Sequence, residues 1–429
     1  MIYKFHIVTI GCQMNFYDTS VYSDFLFRSG FEETDKMDEA DVILINTCAV
    51  RQKAVDKAVS YIGQAAKHKR EKPGTVIGVI GCAGNMEQNT LKKQFHIDFL
   101  FGALNNTQVP DLFLEIIQNN FQDNTTMDMI PFNARLSQFV PITFGCDSFC
   151  SYCIVPYVRG RERSIPEEDI LQTINTLASK GVKEITLLGQ NVNHYGLDLG
   201  EEYNFPKLLL KTANHPLIQR VDFLTSHPKD FDCRIIEAIQ ANDKIYRHFH
   251  LPIQSGDNEI LKQMNRGYTV EEYLRIIETI RKSFKDVSLS SDLIVGFPGE
   301  TETAFENSLD VMKKVNFDMV YGAVYSPRPG TKAEKLKGRI SLIEGKRRLN
   351  KVLEIQREIA NRNNKRFVGL NKNVFVSEVK DDNWYVGKTL EEKPIHFQTT
   401  QKITIGDIIP LKIVSFERHS LRGEIIDAL

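Results

Sequence analysis

Seven cysteines constrain this chain of 429 residues more than any other feature, because six of them form two trios of very different spacing. Cys12, Cys48 and Cys82 lie 36 and 34 residues apart, whereas Cys146, Cys150 and Cys153 sit within eight residues, and Cys233 stands alone. An odd count in a long chain whose start, Met1–Gly11, lacks a basic region, a long apolar run and a small-residue cleavage site does not read as a disulfide framework. No stretch approaches the ~20 apolar residues of a membrane span. The sequence therefore reads as cytoplasmic, with no membrane partner.

Each cysteine of the first trio ends a short β-branched run: Phe5–Ile10 before Gly11-Cys12, Val42–Ile45 before Asn46-Thr47-Cys48, and Val76–Ile80 before Gly81-Cys82. Helix-compatible sequence such as Arg51–Lys67 fills the intervals, which suit βαβ units of about 30 residues. Parallel strands all point one way, so the three thiols fall along one sheet edge, where open α/β sheets place ligands. A single strand-end cysteine commonly belongs to the core. Three equivalent placements favour a metal site.

The second trio follows the apolar run Phe139–Phe144 as Cys146-Asp-Ser-Phe-Cys150-Ser-Tyr-Cys153. A structural zinc site wants four ligands, and no fourth cysteine or histidine lies nearby. A four-iron cluster on three thiolates instead leaves one iron open to an outside chelator.

This C-x3-C-x2-C run resembles the signature of radical S-adenosylmethionine enzymes. Thr143-Phe-Gly-Cys146 before it and Cys153-Ile-Val-Pro-Tyr-Val-Arg-Gly160 after it resemble the methylthiotransferase branch. So do Gly11-Cys-Gln-Met-Asn15, Asn46-Thr-Cys48, Gly81-Cys82, Leu188–Gly196, Ser226-His-Pro228, His250–Gly256, Met264-Asn-Arg-Gly-Tyr268 and Ser291–Glu300, so the likeness covers essentially the whole chain. The resemblance implies two [4Fe-4S] clusters, an auxiliary one on Cys12, Cys48 and Cys82 and a radical one on Cys146, Cys150 and Cys153. S-adenosyl-L-methionine would chelate the open iron of the latter. It further implies Gly189 and Gln190 for the methionine moiety, Ser226, Gln254 and Asp292 around the ribose and sulfonium, and the Tyr152 backbone near the adenine. No catalytic residue separate from the cofactors is implied.

Within that family the Gln190–Asn193 and Gln13–Asn15 segments look most like the MiaB type, which converts N6-isopentenyladenosine beside the tRNA anticodon to its 2-methylthio derivative. The partners this implies are the tRNA anticodon loop and an electron donor such as flavodoxin or ferredoxin, with the protein itself a monomer. Two related enzymes remain as alternatives, one acting on threonylcarbamoyladenosine in tRNA and one on an aspartate of a small-subunit ribosomal protein. An RNA-binding iron–sulfur sensor is an alternative of a different class.

Read without the family, Phe139–Val324 alternates strand-like runs with helical stretches: Phe139–Phe144, Glu184–Leu188, Arg220–Leu224, His248–Leu251, Val287–Val295 and Met319–Val324. Six βα units make an incomplete (β/α)6 barrel, the radical SAM barrel of the resemblance, with polar or Gly-rich turns after the strands, where barrel enzymes put their chemistry. His227 in one of these turns reads as a satisfied loop histidine, and Cys233 as a structural residue at a helix start.

Fifty-four Lys and Arg against fifty-five Asp and Glu exclude a polybasic protein held to its partner by bulk charge. Charge is nevertheless local, since residues 331–366 hold twelve Lys or Arg against four Glu, a net of +8. That segment reads either as a helix with a solvated face and a buried stripe of Leu349, Val352, Leu353 and Ile359, or as a phosphate-facing surface. Beyond it, short strands at 373–378, 384–386, 394–397, 408–413 and 421–426 read as a small antiparallel β-barrel resembling the OB-like TRAM domain, with Trp384 and Tyr385 as base-stacking candidates. Arg159, Arg161 and Arg163 are a second candidate RNA surface. The expected organisation is α/β in three domains: 1–125, a parallel-sheet domain with the auxiliary cluster; 135–365, the partial barrel; and 366–429, the RNA-binding barrel.

Overall fold

The computed structural model describes residues 2–48, 52–82, 95–104, 109–121, 136–200, 202–381 and 383–426. The chain divides into two compact units, one of residues 1–134, 143–149 and 153–163, the other of residues 135–142, 150–152 and 164–429.

The first unit is built on a wholly parallel sheet in the order Glu32–Glu33, Lys4–Thr9, Val42–Thr47, Val76–Gly81 and Phe99–Leu100. The three runs that end in cysteines are thus adjacent strands. Val42–Thr47 and Val76–Gly81 are buried along their whole length, as unbroken apolar runs in a sheet covered on both faces should be. One face packs Tyr22, Leu26, Phe113 and Ile117 from helices Gln13–Arg28 and Asp111–Asn120 against Phe5, Leu44 and Phe99. The other packs Ala58, Ile62 and Ala65 of helix Gln52–Glu71 against Ile43, Ile45 and Ile77. Each fully buried side chain of this size stabilises by ~1.5–3 kcal/mol. Gly78 is the tightest point, since a Cβ there would lie 2.0 Å from the Phe99 ring.

The second unit begins with two three-stranded parallel ladders. Ser137–Pro141, Glu184–Leu188 and Arg220–Leu224 form one, and His248–His250, Ser288–Val295 and Met319–Val324 the other. Among the described residues, a bridge from Val221 to Ile245, just ahead of His248–His250, and the bond from the Ser226 amide to the His250 carbonyl link them as the expected six-stranded partial barrel. The run Phe139–Phe144 is two strands, Ser137–Pro141 and Thr143–Phe144. Ser137–Pro141 is the edge of its ladder, where a proline is tolerated because its outer side has no N–H partner to supply. The helices between strands are capped by side chains: Asp257 accepts from the Glu259 and Ile260 amides, Thr269 and Glu272 form a capping box, and Thr301 accepts from Ala304. Each such cap stabilises by ~1 kcal/mol. Among the described residues no helix is long and apolar enough to cross a membrane.

Helix Leu342–Lys365 buries Val352, Ile355 and Ile359. Leu353, expected in that stripe, lies on the solvent side instead, because the period of 3.6 places Ile355 and not Leu353 in line with Val352 and Ile359. The chain ends in a closed five-stranded barrel in the order Asn371–Asp381, Trp384–Lys388, Pro394–Gln398, Ser420–Ile425 and Ile408–Glu417. Its pairs are antiparallel except Pro394–Gln398 with Ser420–Ile425, which run parallel. Tyr385 lies inside this barrel, stacked on Phe397 at 5.3 Å, so it is a core residue and not a platform for bases. Trp384, on the alternate face, has the Arg422 guanidinium 5.5 Å from its ring centre.

Loop Lys388–Lys393 of the small barrel is held against the partial barrel by a row of ion pairs. Lys388 meets Glu184 at 3.3 Å, Glu392 meets His248 at 2.7 Å, and Lys393 meets Asp318 at 2.8 Å. Glu391 is covered by Lys372 at 2.7 Å, and the Arg247 amide donates to the Leu390 carbonyl at 2.7 Å.

Candidate metal centres and cofactor site

Parallel strands bring the first trio together, as the sequence predicts. Cys12 is the N-cap residue of helix Gln13–Arg28, and Cys48 and Cys82, both buried, directly follow their strands. A hydrogen bond with the Cys48 side chain outweighs burial and, with Arg159 adding to it, lowers the Cys12 thiol to about 6. Burial pushes the Cys82 thiol up, against the pull of the same Arg159. Metals bind the thiolate, so a low thiol beside two others suits a metal centre.

Two asparagines hold this arrangement. Asn15 accepts from the Cys12 amide at 3.2 Å and its thiol at 3.4 Å, and donates to Asn46 Oδ1 at 2.8 Å and the Thr47 carbonyl at 3.1 Å. Asn46 returns a bond to the Asn15 carbonyl at 2.7 Å. Gly81, at φ +92°, presses on this pair, and a Cβ there would sit 2.4 Å from Asn46 Oδ1. Sequence reasoning noted the motifs but not the job of their asparagines.

Arg159 corrects a sequence expectation. It is not part of an RNA-facing surface: its side chain and that of Asp18 are each 1% exposed and form an ion pair at 2.7 Å, while a second nitrogen donates to the Leu104 carbonyl. Arg161 and Arg163 are exposed, Arg161 paired with Asp147 at 2.8 Å.

In the second trio, Cys146 and Cys153 belong to the first unit and Cys150 to the second. The Cys146 amide donates to the Gly160 carbonyl at 3.2 Å, and Gly145, at φ +76°, approaches Arg161 so closely that a Cβ would lie 2.1 Å from its carbonyl oxygen. Cys150 Sγ accepts from Arg266 Nη1 at 3.3 Å. Ser151 is tied to Met264 and Ala333 through backbone bonds, and Tyr152 packs on the apolar cluster of Met264, Phe297 and Ala333. Cys150 lies beside a buried cation, and the loop's three cysteines, with no fourth thiol or imidazole in the loop, are a donor set that fits an anionic cluster with one open position.

The expected cofactor residues gather at the C-terminal ends of the parallel strands. The Ser226 amide donates to the His250 carbonyl at 3.3 Å, and its buried hydroxyl has no protein partner among the described residues. The Gln254 amide donates to the Asp292 carbonyl at 2.9 Å, with Gln254 itself at φ +70°. Asp292 Oδ2 lies 3.4 Å from His250 Nε2, which places His250 at the centre of Ser226, Gln254 and Asp292. His250 in turn shares Ser290 Oγ with His248, at 2.9 and 2.8 Å.

Gly189 and Gln190 open the turn after Glu184–Leu188, and the next residues of that motif tie it to the neighbouring turn. Asn191 accepts from the His227 amide at 3.1 Å and donates to Asp230 at 2.9 Å, and Asn193 donates to the His227 carbonyl. His227 is less satisfied than expected: its Nδ1 accepts from the Lys229 amide, but its buried Nε2 has no protein partner among the described residues. Burial lowers it to about 3, so it is neutral. Cys233 is an exposed thiol at the N-cap of helix Arg234–Ala241.

Part of the +8 segment's charge is compensated from outside itself, by Glu300, Glu302 and Asp318. Arg347 binds Glu302 and Glu344, Arg348 is buried against Glu300, Glu302 and Glu344, and Arg366 faces Asp318. Removing buried Arg348 would therefore report on folding, whereas Arg347 is half exposed.

Residues 140–312 match the Radical SAM superfamily, and residues 4–102 match the Uncharacterized protein family UPF0004. Among solved structures, the radical S-adenosylmethionine methyltransferase TsrM from Kitasatospora setae superposes with a TM-score of 0.54 over 78% of this chain and 77% of that one, at 13% identity, a likeness of fold alone. The tRNA-2-methylthio-N(6)-dimethylallyladenosine synthase of Natranaerobius thermophilus is 39% identical over 99% of this chain and 97% of its own length. That of Caldicellulosiruptor saccharolyticus is 40% identical over 98% and 92%. With both cysteine trios assembled at strand ends and in one loop, and likeness of this depth along its whole length, the chain belongs to the tRNA-2-methylthio-N(6)-dimethylallyladenosine synthase family.

Proposed function

We propose that this protein is a radical S-adenosylmethionine tRNA methylthiotransferase that converts N6-isopentenyladenosine beside the anticodon to its 2-methylthio derivative. One observation carries the reading: a chain matched end to end by synthases of that product bears two separate trios of thiols. Adenine C2–H is too unreactive for a side-chain base, so one trio serves radical generation and the other serves sulfur. Cys146, Cys150 and Cys153 hold the radical [4Fe-4S] cluster, and Cys12, Cys48 and Cys82 hold the auxiliary one. The radical cluster, when bound, offers its open iron to S-adenosyl-L-methionine and supplies the electron for its cleavage.

The protein's own residues position and insulate. Ser226 offers a buried hydroxyl, and Asp292 accepts from ribose hydroxyls while His250 fixes its carboxylate. Gln254 reaches the sulfonium region from a backbone held on both sides by strand hydrogen bonds. Gly189 and Gln190 receive the methionine moiety, and Tyr152 presents its backbone to the adenine from an apolar seat. The division into 1–125, 135–365 and 366–429 assigns the auxiliary cluster, the radical chemistry and RNA binding to separate domains. The tRNA anticodon loop meets the small barrel, where Trp384 lies beneath Arg422. A flavodoxin or ferredoxin supplies electrons, and the protein acts as a monomer.

Mass analysis of tRNA nucleosides from cells lacking the protein tests this reading. The 2-methylthio derivative should disappear and N6-isopentenyladenosine accumulate. Loss of a methylthiolated threonylcarbamoyladenosine instead, or unchanged tRNA with an altered ribosomal-protein aspartate, would overturn the substrate. Failure of the purified protein to make 5′-deoxyadenosine would leave an iron–sulfur sensor.

A further inference from the structure

Arg266 is a buried cation with no anion of its own. It is 5% exposed, and no carboxylate pairs with it among the described residues. Its nitrogens are used otherwise: Nε donates to the Tyr268 hydroxyl at 3.1 Å, Nη2 to the Pro252 carbonyl at 2.8 Å, and Nη1 to Cys150 Sγ at 3.3 Å. Tyr268 is itself pinned, donating to the Ile253 carbonyl at 2.7 Å, and the guanidinium carbon sits 5.3 Å from its ring centre. Two fixed hydrogen bonds aim the third nitrogen of the fork at one sulfur. Burying an unpaired guanidinium costs several kcal/mol. Negative charge arriving at Cys150 would offset that cost.

We propose that Arg266 sets the reduction potential of the radical cluster, as the fixed counter-charge and N–H···S donor to its Cys150 thiolate. The inference rests on the assignment of Cys150 as a cluster ligand and adds a role that ligation does not require. A four-iron cluster in its oxidised resting state carries net charge of about −1 with three thiolates, and one further electron makes it about −2. The buried guanidinium interacts more strongly with the more negative state. It therefore favours reduction by an external low-potential donor and raises the potential. Arg suits this better than Lys, since its planar fork can hold two oxygens and a sulfur at once in fixed directions. The His250–Gly256 and Met264–Tyr268 segments, which supply Pro252, Ile253, Arg266 and Tyr268, then act together as one support for Cys150.

The test is an EPR-monitored redox titration of the anaerobically reconstituted full chain carrying Cys12→Ala, Cys48→Ala and Cys82→Ala, so that a single cluster titrates. Arg266→Gln should retain about four irons per chain, yet at a fixed potential its reduced-to-oxidised ratio should fall about tenfold, a shift of ~59 mV to more negative potential for one electron. Arg266→Lys, which keeps the charge, should fall between Gln and the parent. Should Arg266→Gln lose its iron, the Lys variant and Tyr268→Phe, which loosens the guanidinium, carry the comparison, each with a smaller negative shift. A full iron complement with an unmoved potential overturns the proposal. So does a shift that appears only when S-adenosylmethionine is present, which would make Arg266 a grip on that cofactor's carboxylate. A parent chain that binds no iron through Cys146, Cys150 and Cys153 would instead sink the ligand assignment beneath it.

Discussion

The two cysteine trios are built in opposite ways, and so are the arginines beside them. The first trio is assembled from three strand ends far apart in sequence, braced by Asn15 and Asn46, with an arginine neutralised by Asp18 inside the same unit. The second comes from one short loop, and the arginine at Cys150 has only a carbonyl, a phenol and the sulfur itself. A centre whose cation is already paired holds its charge whether or not metal is bound. A centre whose cation is unpaired is completed electrostatically only when metal arrives. The contrast separates a site preformed by folding from one that loading must finish.

The largest effect that can break this comparison is loss of either trio. Reconstituted protein should bind about eight irons, and Ala at Cys146, Cys150 and Cys153 should halve that and abolish 5′-deoxyadenosine formation. Ala at Cys12, Cys48 and Cys82 should also halve the iron but leave cleavage intact while methylthio product vanishes. Cleavage surviving the first variant would remove the radical assignment.

A smaller effect distinguishes the arginines in cluster-free protein. Arg159→Met strands a buried carboxylate at Asp18 and should cost ~3–5 kcal/mol in denaturant unfolding. Arg266→Met removes an unpaired buried cation along with its bonds to the Pro252 carbonyl and the Tyr268 hydroxyl, effects of opposite sign, so its stability should equal or exceed the parent's, or fall by no more than ~1 kcal/mol. Equal losses would show that both guanidinium groups are already compensated before metal binds.

Asp18 sharpens the same point through pH. Burial, opposed by Arg159, raises its carboxyl to about 6, whereas an unfolded aspartate titrates near 3.8. The folded chain then holds its proton more tightly than the unfolded chain, so this group's contribution is fully present below about pH 4 and is lost as pH rises toward 6. Cluster-free protein should lose ~1–3 kcal/mol across that window relative to Asp18→Asn. Parallel pH profiles for the two proteins would mean that the ion pair keeps Asp18 ionised throughout. The smallest expected effect is at the seventh cysteine: exposed Cys233→Ser should leave iron content unchanged and stability within ~0.5 kcal/mol.

The two cysteine trios could be picked out from the sequence because spacing and strand ends depend only on local pattern. The parallel sheet, the partial barrel and the small barrel followed from the same periodicities. What the sequence did not place were the partners of some arginines and the side to which each aromatic turns. Arg159 and Arg348 look like surface residues in a window of sequence, yet both are buried, and their partners Asp18, Glu300 and Glu302 lie outside any such window. Tyr385 and Trp384 are neighbours in sequence, and only the alternation of a strand sends one into the core and the other outward. Arg266 sat in a quoted motif, but its geometry depends on Pro252 and Tyr268 meeting Cys150 across more than a hundred residues.

The loop Lys388–Lys393 makes the small barrel a stopper rather than a tethered hand. Its charges enter an interior where each has a mate, so swinging the barrel away would pull several ion pairs apart at once. From Glu392 a row of four contacts runs inward through His248, Ser290 and His250 to Asp292. Whatever seats itself on the small barrel therefore meets no slack joint: a load applied there reaches the Asp292 carboxylate through a strut of side chains in contact.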